Sequence, residues 1–100
     1  MADDNERVPV LFRAHREGGE THITAVFPTL PADNEGRLMT CYAHIGQHSA
    51  CSHEWYRTTR RALPDEYANL KAELESAPFG YVLDVRRRVT PAMRRQRREA

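Results

Sequence analysis

Residues 38–57 read LMTCYAHIGQHSACSHEWYR and hold both cysteines, the single tryptophan, three of the five histidines and two of the four tyrosines. Apolar and polar residues alternate on either side of Gly46, which is the period of a pleated strand. The alternation predicts two antiparallel strands, Leu38–Ile45 and Cys51–Arg57, joined by Gly46-Gln47-His48-Ser49-Ala50. A five-residue connection that contains glycine suits a hairpin. Closing this loop sets Ile45 opposite Cys51, Ala43 opposite His53 and Cys41 opposite Trp55. One face then carries Met39, Cys41, Ala43, Ile45, Cys51, His53 and Trp55. The other carries Leu38, Thr40, Tyr42, His44, Ser52, Glu54 and Tyr56. A slip of one residue would mix the two sets, which favours this register.

The register decides what the cysteines and histidines can do. Cys41 and Cys51 fall on one face, four positions apart, on the order of 13 Å at ~3.3 Å per residue. A disulfide needs Cα atoms within roughly 7 Å, so the expectation is two free, buried thiols; a wider loop would pair them directly. Cys41, His44, His48, Cys51 and His53 are ligand types suited to zinc, the first four forming the weaker alternative set. Their spacing matches no standard zinc pattern, and His44 points away from the cysteine face, so packed thiols are favoured over a metal site. On the polar face Tyr42 lies opposite Glu54, with His44 and Tyr56 as diagonal neighbours that can touch. A histidine beside a carboxylate can do acid–base work. No nucleophile at a recognisable spacing accompanies the pair, so a solvated sheet face is favoured over a catalytic one.

Outward from this stretch, Val8–His15 alternates Val8, Val10, Phe12 and Ala14 onto one face, and Thr21–Pro28 does the same with Ile23, Ala25 and Phe27. Gly18-Gly19 between them supplies a turn, giving a first hairpin. Pro9 has no N–H to donate and suggests an edge strand or a strand start. Residues 29–37 form a polar connection. Pro64 to about Ser76 is the one clear helix: proline suits its first position, Asp65 and Glu66 suit its dipole, and Leu63, Tyr67, Leu70, Leu74 and Ala77 recur at helical spacing. That stripe is core packing. Pro78 and Gly80 end it, and Tyr81–Val89 returns as a last strand, broken by Thr90 and Pro91.

One hundred residues make one domain: a flexible 1–7, a folded 8–90 and a basic 91–100. No run approaches the ~20 apolar residues of a bilayer span, and the acidic start, MADDNER, is unlike a signal peptide. Two cysteines without an export signal predict a reduced, cytoplasmic setting. No glycine pattern for nucleotide binding occurs, and no cofactor or membrane contact is indicated. Charge is uneven. Residues 1–85 carry eight Lys or Arg against thirteen Asp or Glu, and residues 86–100 carry seven Arg against one Glu. Arg86, Arg88, Arg94, Arg95, Arg97 and Arg98 therefore form a dense positive element whose guanidinium forks match phosphate oxygens. Nine residues cannot sustain an isolated helix, so this end is expected as a frayed turn or a loose tail. No aromatics alternate with the arginines, so base stacking is not suggested.

The run Tyr42-Ala43-His44-Ile45-Gly46-Gln47-His48, followed by Pro64-Asp65-Glu66-Tyr67-Ala68-Asn69-Leu70-Lys71-Ala72-Glu73-Leu74-Glu75, resembles a family of short proteins from bacteriophages and other bacterial mobile elements. In that family a YxHIGQH segment precedes a PEEYxxLxxEL helix and a Val/Arg-rich strand. The resemblance covers roughly residues 23–89. It implies a small intracellular accessory protein without a settled activity. It carries over no catalytic residue but singles out His44, Gly46, Gln47 and His48; the cysteine pair and the arginine tail lie outside the pattern.

These observations predict an α+β domain of order β-β-β-β-α-β, an antiparallel sheet of about five strands with one helix on one face and the other face open. The function they favour is a non-enzymatic binding module. It would engage a host protein or nucleic acid through Tyr42, His44, Gln47, His48, Glu54 and Tyr56 and through the arginines. The competing expectation is a metal-dependent or acid–base enzyme centred on His44, His48 and Glu54.

Overall fold

The computed structural model describes residues 7–43 and 48–100. The fold is α+β: an open, mainly antiparallel sheet with helices packed against it. Strands β1 (Arg7–Glu17) and β2 (Glu20–Pro31) form the first hairpin. Strands β3 (Met39–Tyr42) and β4 (Ser49–Cys51) form a second. Helix α1 (His53–Arg57), strand β5 (Arg60–Arg61), helix α2 (Pro64–Glu75), strand β6 (Val82–Val85) and helix α3 (Pro91–Glu99) complete the chain. The sheet runs β4-β3-β2-β1-β5, and β6 also pairs with β1.

The first hairpin matches its pattern. Gly18 and Gly19 turn at φ 60° and 82°, the left-handed region that glycine occupies without steric cost. The ladder runs from Glu17 opposite Glu20 to Leu11 opposite Val26. Two steps further the same register would set Pro9 across from Pro28, and neither residue has an N–H to donate. β1 is nonetheless central, not an edge strand. Its first half, including Pro9 opposite Asp84, pairs in parallel with β6, and its second half pairs antiparallel with β5. The parallel pairing departs from the all-antiparallel expectation, because α2 carries the chain back across the sheet before β6 begins.

The second hairpin is not the one the alternation predicts. Met39 pairs with Cys51, Thr40 with Ala50 and Cys41 with Ser49, so the connection is wider and Cys51 ends its strand. His53–Arg57 is helical. The Ser52 hydroxyl accepts from Trp55 N–H at 3.1 Å and caps the helix, and Thr58 Oγ1 closes its far end on Trp55 O at 2.6 Å. A capping serine satisfies a backbone donor that the first turn leaves unpaired, and that local bond overrides the strand propensity of Trp55 and Tyr56.

Both sheet faces are covered. On one, Val10, Phe12, Ala14, Ala25, Phe27 and Tyr42 pack with Leu70 and Leu74 of α2 and with Leu83 of β6. On the other, Leu11, Val26, Met39, Cys41 and Cys51 pack with Trp55, Tyr56 and Val89. Tyr42 is therefore inward, 1% exposed, and Trp55 belongs to the opposite layer. The face expected to lie open, the one that carries Tyr42, is closed by α2, and the face of Met39 and Cys41, where the single helix was expected, is covered by α1 and α3. The arginine-rich end is not a loose tail: α3 is capped by the Thr90 hydroxyl, which accepts from Met93 N–H at 3.2 Å, and Met93 and Arg97 are buried. A nine-residue helix that is marginal alone is held here by its docked side.

Candidate functional site: an arginine pocket around His53

Four arginines and one histidine meet where α3, α1 and the β2–β3 connection come together. Gly36, Arg37, His53, Arg94, Arg97 and Arg98 line a pocket of about 280 Å³. Its geometry begins in β2. Between Phe27 and Pro31 the pairing with β3 shifts register, and the Pro28 carbonyl is turned to the side chain of Arg97. Gly36 takes φ 71° in the connection that Asp33 pins, its carboxylate accepting from Arg37 N–H at 2.8 Å and Leu38 N–H at 3.2 Å. Arg97, 3% exposed, then donates to Pro28 O and Gly36 O, each at 2.8 Å, and to His53 Nε2 at 2.7 Å. Gly36 is required for contact as well as conformation: a Cβ there would lie 2.9 Å from the Arg98 Cα.

The electrostatics are one-sided. Burial, then Arg94, Arg97 and Arg57, lower the His53 pKa to about 4, so at neutral pH the ring is uncharged. A neutral imidazole has one acceptor nitrogen and one N–H, and a guanidinium has only donors. Yet Nε2 faces Arg97 at 2.7 Å and Nδ1 faces Arg94 Nη2 at 3.1 Å. Only one of these contacts is a hydrogen bond. The shorter one, to the buried Arg97, takes the acceptor, which leaves a donor facing a donor at Nδ1. Arg37 is paired with Glu35 at 2.8 Å. Among the described residues no carboxylate pairs with Arg94 or Arg98. The pocket is rich in N–H groups and poor in acceptors, which is the chemistry of an anion site.

The other sequence-selected residues disperse. His44 and Gln47 lie outside the described residues. His48 packs among Phe27, Tyr42, Phe79 and Tyr81, with its Nε2 3.0 Å from the Tyr81 hydroxyl. Tyr42 donates its hydroxyl to Glu73 and lies in the core. Tyr56 is half-buried under the Arg13 guanidinium, 4.4 Å from its ring centroid. Glu54 is exposed in the first turn of α1. Tyr42 and Glu54 therefore do not share the surface assigned to them. His48, against Phe27 and Tyr42, is on the face opposite Cys41 and Cys51, so the four-ligand metal set that the sequence offered as its weaker alternative does not converge. His48 and Glu54 likewise belong to different layers, which separates two members of the expected acid–base site. Among the described residues no three His, Cys, Asp or Glu side chains are grouped to hold a metal. Arg86 and Arg88 are exposed, with Arg86 3.3 Å from Asp84; Arg95 is also exposed, and Arg97 is taken into the interior.

The sequence did not mark Arg37 as a site member, and it offered His53 only as a metal-ligand type or a packed residue, not as the centre of an arginine pocket. The local signal for His53 was the Ser52-His53-Glu54 helix start, hidden by a strand-like alternation; nothing local marks Arg37. Fold and site together define an α+β domain with an arginine-lined pocket on one face. Comparison with protein-family models, curated proteins and solved structures returned no match to this chain. No helix among the described residues is long and apolar enough to cross a membrane.

Proposed function

We propose that this protein is a small non-enzymatic accessory protein that holds nucleic acid by its phosphates through the α1–α3 face. The observation that carries this is the pocket around His53, where Arg37, Arg94 and Arg98 surround a donor surplus that a phosphate oxygen would satisfy. Arg57 on α1 lies close enough to act on His53 and extends the positive field. Among the described residues no Phe, Tyr or Trp lines the pocket, and the ring of His53 is taken up between Arg94 and Arg97, so recognition is of backbone and not of base. The acidic remainder of the chain confines the contact to this face and keeps the footprint small. The resemblance over residues 23–89 supports an accessory role in a bacterial mobile element.

The test is binding of a labelled duplex and a labelled single strand, followed by anisotropy across a salt series. Each phosphate contact contributes about −0.9 to the log–log salt slope on duplex DNA. Arg94 and Arg98, which pair with no carboxylate among the described residues, thus predict a slope of about −2. Replacing Arg94 and Arg98 with Gln should reduce it by about 2 and weaken binding for all sequences alike. A flat salt response, or binding unchanged by the double replacement, would reject the nucleic-acid reading and leave a host protein as the partner class.

A further inference from the structure

A second pocket on the α1-covered face carries chemistry that the arginine pocket does not use. Because Cys41 pairs across the ladder with Ser49, and Met39 with Cys51, the two cysteines project from one face as diagonal neighbours. Diagonal residues have Cα atoms roughly 7–8 Å apart, and their side chains reach one another. Both thiols are free and buried. The Ser49 hydroxyl lies 3.1 Å from Cys41 Sγ. A mainly apolar pocket of about 510 Å³ lies over them, walled by Leu38, Ala43, Ala50 and Trp55. A cysteine that serves only as packing is inert and needs no such access; here a small reagent can reach two adjacent sulfurs. Their ionisation is unequal. The Cys51 thiol and the Ser49 hydroxyl hold Cys41 below the ordinary thiol range, against the effect of burial. Sharing with Cys41, together with burial, pushes Cys51 up. The Ser49 hydroxyl stands beside Cys41 Sγ and can donate to it, which favours Cys41 as the thiolate of the pair, and the thiolate is the nucleophilic form.

We propose that Cys41 and Cys51 form a peroxide-reactive dithiol, with Cys41 attacking a small hydroperoxide and Cys51 resolving the product to an intramolecular disulfide. Cys41 Sγ attacks one peroxide oxygen, an S–O bond forms and the O–O bond breaks. The leaving hydroxide or alkoxide takes a proton, giving water or an alcohol and a sulfenic acid. Cys51 Sγ then attacks the Cys41 sulfur, an S–S bond forms, the S–O bond breaks, and the departing hydroxide leaves as water with the Cys51 proton. Two thiols lose two electrons and the peroxide gains them. A disulfide needs its Cα atoms within roughly 7 Å, so β4 must close on β3 by about 1 Å from the diagonal spacing. β4 has three residues and sits at the sheet edge with one neighbouring strand, which makes it the segment able to move.

The experiment treats the reduced full-length chain with stoichiometric hydrogen peroxide, then alkylates under denaturing conditions and reads the intact mass. Both thiols should disappear together, the mass should fall by two hydrogens, the chain should remain monomeric, and dithiothreitol should reverse the change. Cys51→Ser should stop at a sulfenic acid that dimedone traps on Cys41, and Cys41→Ser should leave Cys51 unmodified at the same dose. A wild-type chain that retains both thiols, or that links only to a second chain, overturns the proposal without reference to either variant. So does dimedone on Cys51 in Cys41→Ser. None of these readouts involves nucleic acid, so they stand or fall apart from the phosphate-binding test.

Discussion

Arg97→Met is the substitution that most directly tests how the arginine pocket is built. Methionine keeps much of the stem and removes every donor. In the native chain the guanidinium makes three contacts, at 2.8, 2.8 and 2.7 Å, to Gly36 O, Pro28 O and His53 Nε2. Leaving a buried acceptor unsatisfied costs about 1–3 kcal/mol, so the two carbonyls alone put the loss at about 2–6 kcal/mol. Against this stands the desolvation of a guanidinium with no carboxylate in direct contact, which its removal relieves and which can offset much of the gain from pairing. Burial and the neighbouring Arg94 and Arg98 both lower the Arg97 pKa, so that relief is real but partial. We expect a net loss of about 2–4 kcal/mol, or a melting temperature lower by at least about 8 °C for a domain of this size. Denaturant unfolding, with the slope compared between variants, measures it. The His53 pKa, about 4 in the native chain, should rise in the variant because one of its facing cations is gone; imidazole NMR shifts against pH report this separately. A variant within about 0.5 kcal/mol of wild type, with His53 still titrating near its native value, would refute the claim that Arg97 organises this corner.

Gly36→Ala should cost more than Gly19→Ala, although both glycines have positive φ, because only at Gly36 does a Cβ meet backbone, 2.9 Å from Arg98 Cα; equal melting temperatures would remove the close-approach argument. Acidification should destabilise the fold through His53. Its folded pKa of about 4 lies below the ordinary 6.5, so between these values the unfolded chain binds more protons and stability rises with pH. That contribution is full above about 6.5 and is lost as pH falls toward 4. Comparing His53→Gln with wild type across this window isolates it, and parallel stability profiles would contradict the assignment. For the proposed phosphate contact, Arg86→Gln should change the salt slope little compared with Arg94→Gln, since Arg86 is engaged near Asp84 and does not line the His53 pocket; a reversed order would move the contact to another surface.

The two pockets on the α1-covered face are neighbours. Arg97, which closes the arginine pocket, also acts on Cys51 through its charge. The same helix therefore sets a buried cation near Cys51 and presents Arg94 and Arg98 to solvent on its other side. This economy follows from the amphipathic spacing of α3, where Met93 and Arg97 are four residues apart and share the buried side.

Some of this architecture is written locally. Val8, Val10, Phe12 and Ala14 against Ile23, Ala25 and Phe27, with two glycines between, close as a hairpin that shares this apolar face; that Leu11 and Val26 bury its other face as well was set by the elements that cover it. Pro64, Asp65 and Glu66 followed by Leu70 and Leu74 can only start and bury a helix as α2 does; Glu66 also accepts from Leu63 N–H at 2.8 Å. The arrangement of residues 38–57 was decided elsewhere. Over five residues, His53–Arg57 fits a strand period as well as a helical turn, and the choice was made by the Ser52 cap and by the apolar floor of Met39, Cys41 and Leu11 under Trp55. Likewise Arg97 reads as one more exposed arginine until the carbonyls of Gly36 and Pro28, 61 and 69 residues away, arrive to accept its protons. Periodicity reports what a segment prefers next to its neighbours in sequence; which arginine is buried, and which histidine stands among cations, depends on acceptors and charges that only folding brings near.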